Sequence, residues 1–234
     1  MIDARLLPIQ SAVLTPPARW LHRRGVHADR LTLAGFVLGV LACGAVALGL
    51  WALALALILA NRVMDGLDGA VARLNGPTDR GAFLDIALDF VFYALVPLGF
   101  ALHDPAANGL PAAILLAAFI GTGSSFLAFS AIAAKTGLRA QDYPTKGIYY
   151  LGGLTEGFET IAVFVAMCLW PAAFPVLAHV FALACAVTTV LRWSQGWVLF
   201  GKNGARCRDV AAQDATDVRK IPTVEAACPR ARSP

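Results

Sequence analysis

The stretch Asp65-Gly66-Leu67-Asp68-Gly69-Ala70-Val71-Ala72-Arg73, followed by Gly81-Ala82-Phe83-Leu84-Asp85-Ile86-Ala87-Leu88-Asp89, sets four carboxylates among apolar residues. On insertion scales an Asp at the centre of a membrane helix costs about 2.5–3.5 kcal/mol, so its presence there is by default functional. Spacings of three and four put each pair on one helix face. The short connection Leu74–Arg80 predicts an antiparallel hairpin, which brings both pairs to one depth.

The surrounding composition makes those positions membranous. Of 234 residues, 58% are apolar and 15% charged, against 45–50% and about 25% in soluble domains. This excludes disorder, collagen and nucleic-acid binding as the main theme. Leu31–Ala60 and Pro105–Ala134 carry no charge at all. A span needs about 20 apolar residues. With a turn near Gly49–Trp51, six spans are predicted at 31–49, 51–73, 81–101, 111–134, 147–169 and 174–199. The basic residues outside the membrane core then cluster at the two ends and two alternate loops, while the three opposite loops hold no Arg or Lys, which puts both termini and the carboxylates on the cytoplasmic side. The fold expected is all-α, an integral membrane six-helix bundle preceded by a juxtamembrane amphipathic helix. Residues 1–30 form the N-terminal segment, 31–200 the six-span domain and 201–234 a cytoplasmic, disordered tail. No cleavable signal peptide is expected. The five cysteines have no metal-site spacing and read as reduced, structural thiols.

Four converging carboxylates repel unless neutralised. Two divalent cations balance them, and oxygen-only ligands select Mg²⁺ or Mn²⁺. Such ions suit a phosphoryl or pyrophosphate group. The competing reading pairs the Asp residues with Arg62, Arg73 and Arg80 at the interface.

The two segments closely resemble the signature of the CDP-alcohol phosphatidyltransferases, D-x-x-D-G-x-x-A-R, a loop, then G-x-x-x-D-x-x-x-D. All eight defining positions are present, and the loop between Arg73 and Gly81 has seven residues where the usual signature has eight. The resemblance implies transfer of a phosphatidyl group from a CDP-activated lipid, usually CDP-diacylglycerol, to a small alcohol, with CMP released, in phospholipid biosynthesis. It implies Asp65, Asp68 and Asp85 as main metal ligands, and Asp89 as ligand of a second ion and general base. Gly69 is implied to admit the cytidine part. Arg73 and Thr78 resemble donor-head contacts, with Asp29 and Thr32 a looser match. A homodimer in the bacterial inner or plasma membrane is implied, with the bilayer and its lipid donor as partners and no nucleic acid.

The acceptor is less legible. Counted from Gly147 at 1.5 Å per residue, Glu156 lies about 14 Å deep, a depth similar to that of Asp89, and is expected to border the same cavity. Added negative charge there disfavours a phosphorylated acceptor and favours a neutral polyol or an amino alcohol, with Tyr149 or Tyr150 available for cation–π contact. The competing reading pairs Glu156 or Glu159 with Arg62 or Arg192 across helices. Two other classes compete with the whole assignment. An intramembrane Mg²⁺-dependent prenyltransferase would hold its Asp motifs farther apart. A transporter using buried carboxylates would have no need of the Gly69–Arg73 spacing and usually shows inverted repeats.

Overall fold

A computed structural model describes residues 2–136 and 154–216, with side chains over 13–136 and 154–201. Among the described residues the chain is helical and contains no strand. In order come α1 (Ile2–Arg23), α2 (Ala28–Ala47), α3 (Trp51–Asn75), α4 (Asp79–His103), α5 (Pro105–Lys135), α6 (Gly157–Leu169) and α7 (Phe174–Thr216). Among the described residues six α-helices thus follow the N-terminal one. Among the described residues four segments, Ala28–Ala47, Asp79–His103, Pro105–Lys135 and Pro171–Gly201, are long and apolar enough to cross a membrane. The protein is an integral membrane protein. α3 is 25 residues long and carries Arg62, Asp65, Asp68 and Arg73.

Two predicted boundaries rest on identifiable chemistry. The turn at Gly49 has φ +71°, a left-handed conformation glycine adopts without penalty. There the amides of Leu48, Gly49 and Leu50 donate back to the carbonyls of Gly44, Val46 and Ala45, closing α2 in the manner of a glycine C-cap. The α3–α4 hairpin turns at Gly76, φ +88°. Thr78 then caps α4, its hydroxyl oxygen accepting the Gly81 N–H at 3.1 Å, which satisfies one orphan donor of the first turn.

One predicted boundary is corrected. The helix of the fifth predicted span, α6, begins at Gly157, and Leu154–Glu156 precede it outside the helix. Glu156 is its N-cap, with φ −119° and ψ −172°, in a capping box with Glu159. The Glu159 carboxylate accepts the Glu156 N–H at 3.1 Å. A depth counted along a continuous helix from Gly147 therefore does not hold. At 1.5 Å per residue α6 is about 20 Å long. Tyr149, Tyr150 and the end of the tail, 217–234, lie outside the described residues.

The chain forms two compact units, Met1–Gly121 with Leu154–Ala186, and Thr122–Gly153 with Val187–Pro234. In the first, small residues let helices approach closely, as membrane bundles require where lipid is as apolar as the core. A Cβ on Gly39 would lie 2.7 Å from the Phe92 ring, and one on Gly99 would lie 2.9 Å from the Cys43 carbonyl oxygen. Phe100 stacks on Phe174 at 4.3 Å between centroids. Phe164 meets Phe92 and Phe119 edge-on. Cys43, Cys168 and Cys185 are buried and outside any disulfide. The apolar face of α1, Leu14, Ala18 and Leu21, packs with Leu31, Leu67 and Val71, while Arg24 lies over the Trp20 ring at 4.7 Å. In the second unit Phe129 and Ala133 pack with Leu199 and Phe200, and Arg192 donates to the Thr122 carbonyl at 3.1 Å.

Along α7 the exposed residues Val176, Val180, Leu183, Val187 and Val190 recur at helical spacing. A stripe that is both exposed and wholly apolar is the surface a helix offers to lipid.

Candidate active site

The carboxylates gather where the sequence puts them, at the hairpin of α3 and α4, with α2 as the third wall. One pocket is lined by Thr32, Gly35 and Phe36 of α2, by Asn61, Arg62, Asp65 and Asp68 of α3, and by Asp85, Leu88, Asp89 and Phe92 of α4. α2 packs on both other helices, and Gly35 sets its spacing from α3, since a Cβ there would come 3.1 Å from that of Met64.

Three carboxylates converge. Asp65, Asp68 and Asp85 each offer an oxygen, and the three atoms lie within 4.8 Å of one another. A cation bound at about 2.0–2.6 Å by oxygen bridges such a span. Asp68 is buried, and its Oδ2 has no hydrogen-bond partner among the described residues. A buried acceptor left so is costly, and a hard cation would satisfy it. The donor set therefore fits Mg²⁺ or Mn²⁺.

Asp89, one turn further along α4, is held differently. Arg62 Nη2 donates to Asp89 Oδ1 at 2.7 Å. The same guanidinium approaches Asp65 at 3.5 Å through Nη1, donates from Nε to Asn61 Oδ1 at 2.7 Å, and lies over the Phe92 ring at 4.5 Å. Asn61 is fixed in turn, its Nδ2 donating to the Gly35 carbonyl at 2.7 Å. The interfacial pairing weighed in the sequence thus occurs for Arg62, but within the pocket and beside the three converging carboxylates. Arg80 instead pairs with Asp29.

The other candidates take separate places. Thr32 lines the pocket, and its hydroxyl donates to the Ala28 carbonyl at 3.2 Å. Asp29 and Thr78 both lie near Gly81 at the start of α4, where an added Cβ would be 3.1 Å from Thr78 Oγ1 and 3.3 Å from Asp29 Oδ1. Gly69 and Arg73 lie one turn apart on α3 outside the pocket lining, and a Cβ on Gly69 would meet only Arg73 Nη1, at 3.5 Å. The chain therefore leaves room at Gly69. Glu156 is buried at the N-terminus of α6 and is not among the lining residues.

Arg62 and Asn61 were not among the site residues expected. The available signal was Arg62 itself, a cation inside an apolar run three residues before Asp65, whose cost in a membrane segment equals that of the carboxylates.

Residues 26–193 match the CDP-alcohol phosphatidyltransferase family. The chain is 53% identical over 195 residues to the inner membrane protein YnjF of Escherichia coli, covering 83% of this chain and 95% of that one. It is 32% identical over 160 residues to an uncharacterized protein of Aquifex aeolicus, covering 68% of this chain and 76% of that one. Among solved structures it resembles the Mycobacterium tuberculosis phosphatidylinositol phosphate synthase PgsA1 with CDP-DAG bound. That likeness has a TM-score of 0.64 and 26% identity, over 80% of this chain and 94% of the other. The same synthase in complex with manganese and citrate gives a TM-score of 0.64 over 79% and 88%. With the signature complete and the family match spanning most of the helical chain, this protein is a member of the CDP-alcohol phosphatidyltransferase family, a phosphotransferase of phospholipid biosynthesis.

Proposed function

We infer that the protein moves the phosphatidyl group of CDP-diacylglycerol onto the hydroxyl of a small alcohol and releases CMP. The observation that carries this reading is the convergence of Asp65, Asp68 and Asp85 within 4.8 Å, with Asp89 lining the same pocket. The synthase solved with CDP-DAG supports the donor, and its manganese complex supports a divalent ion.

In this reading Asp65, Asp68 and Asp85 hold Mg²⁺ or Mn²⁺, and the fully loaded site takes a second ion at Asp89. Bound there, such ions offset charge on the phosphate oxygens and on the leaving group. Asp89 accepts the proton of the acceptor hydroxyl. The acceptor oxygen bonds to the phosphorus that carries the diacylglycerol, and the bond from that phosphorus to CMP breaks. The room at Gly69 admits the cytidine part, while Arg73, Thr78, Asp29 and Thr32 contact the donor head. The acyl chains stay in the bilayer, with the site and both termini cytoplasmic and the protein a homodimer in the bacterial inner membrane.

For the acceptor, a neutral polyol or an amino alcohol suits a pocket in which four carboxylates face a single Arg62. The test is CMP release by the purified protein from CDP-diacylglycerol with Mg²⁺ and a panel of alcohols. Turnover with a polyol or amino alcohol is expected. Preference for glycerol 3-phosphate or inositol phosphate would sink the acceptor assignment, and ion flux without CMP release would sink the reaction.

A further inference from the structure

Arg62 is built into this pocket more firmly than an incidental partner of a carboxylate. Its side chain is only 16% exposed, and three helices hold it. Nε is anchored on Asn61, which is itself anchored on the α2 backbone at Gly35. Nη2 is bonded to Asp89 of α4, Nη1 lies 3.5 Å from both Asp65 Oδ2 and the Tyr93 hydroxyl, and the face of the group rests on Phe92. The guanidinium thus lies between Asp65 and Asp89, where an ion shared by those two carboxylates would be bound. A divalent ion at Asp89 would meet a fixed positive charge in a poorly screened site, where like charges repel strongly.

We propose that Arg62 is a resident cation that competes with the second divalent ion for Asp89. The three-carboxylate cluster takes the first ion without disturbing it. The second enters only as Nη2 leaves Asp89, and the negative charge of the donor's diphosphate favours that exchange. Second-ion binding is thereby coupled to donor arrival, and Arg62 acts as a positioning residue that keeps Asp89 oriented until then. This rests on the reading of Asp65, Asp68 and Asp85 as a divalent-cation site.

The experiment is a Mn²⁺ titration of the full-length protein in detergent micelles, with free Mn²⁺ read by electron paramagnetic resonance. Wild type is expected to bind one ion tightly and a second at least about tenfold more weakly, the scale of one charge-assisted hydrogen bond. Arg62→Gln is expected to tighten the second ion by about tenfold and to change the first less. Asn61→Ala, which frees Nε, is expected to shift the second constant in the same direction and serves if Arg62→Gln does not fold. CDP-diacylglycerol is expected to tighten the second ion in wild type and to do so less in Arg62→Gln. Two ions of equal affinity in wild type, or a second constant unchanged in both variants, overturns the proposal. Absence of Mn²⁺ binding overturns it together with the metal reading. Failure of CMP release with the ion pattern intact overturns the transfer reading alone.

Discussion

Arg62 and Asp89 face each other across the α3–α4 hairpin, Nη2 to Oδ1 at 2.7 Å, although 27 residues separate them in sequence. The contact ties α3 to α4 beside the point on which Asp65, Asp68 and Asp85 converge. A cation opposite the acidic cluster also removes part of the repulsion that four carboxylates would otherwise generate in a low-dielectric site.

Replacing Asp65, Asp68 or Asp85 singly by Asn is expected to reduce CMP release from CDP-diacylglycerol by about 10²–10³-fold, the usual scale for losing one transition-state charge contact. Asn keeps the volume of Asp, so helical content by circular dichroism should stay at the wild-type value. A chelator should abolish activity, and added Mg²⁺ or Mn²⁺ should restore it. Activity surviving thorough metal removal would refute the divalent site.

Asp89→Asn keeps an oxygen that accepts from Arg62 and is expected to fold normally. It removes the base, for which about 10²–10⁴-fold in kcat is typical. The KM for CDP-diacylglycerol should rise as well, because a second ion at Asp89 whose binding is coupled to the donor weakens donor binding when it is lost. A kcat within a few-fold of wild type would assign the proton to another group.

Gly69→Ala separates folding from binding. The new methyl would meet only Arg73 Nη1 at 3.5 Å, and Ala is favoured over Gly inside a helix by about 1 kcal/mol. Thermal stability in detergent should therefore hold or rise, while KM for the CDP-activated donor rises about tenfold or more, a loss of about 1.4 kcal/mol. An unchanged KM would remove Gly69 from the donor site.

Gly39→Leu and Gly99→Leu are expected to destabilise by at least about 1–3 kcal/mol, the cost of overpacking, because a Cβ already falls 2.7 Å from the Phe92 ring and 2.9 Å from the Cys43 carbonyl. Gly44→Ala is the control, with nothing within 4 Å of its Cβ. Equal melting temperatures for Gly39→Leu and the control would show that α2 and α4 can separate freely.

The sequence by itself carried the helical class, the turn at Gly49 and the α3–α4 hairpin. A lipid environment demands long apolar segments with every backbone group bonded internally, and their ends are marked by residues with local conformational reasons, Gly49, Gly76 and Thr78. The four Asp residues stood out because charge is rare there. The start of α6 was not legible: apolar residues run on either side of Glu156, and its capping box with Glu159 wins only once the chain is folded. Arg62's i,i+3 neighbour Asp65 could be read from spacing, but Asp89 could not. Spacing along one helix fixes which side chains share its face, while the partner across the hairpin depends on how both helices rotate. Close packing at Gly35, Gly39 and Gly99 sets that rotation, and only the tertiary structure decides it.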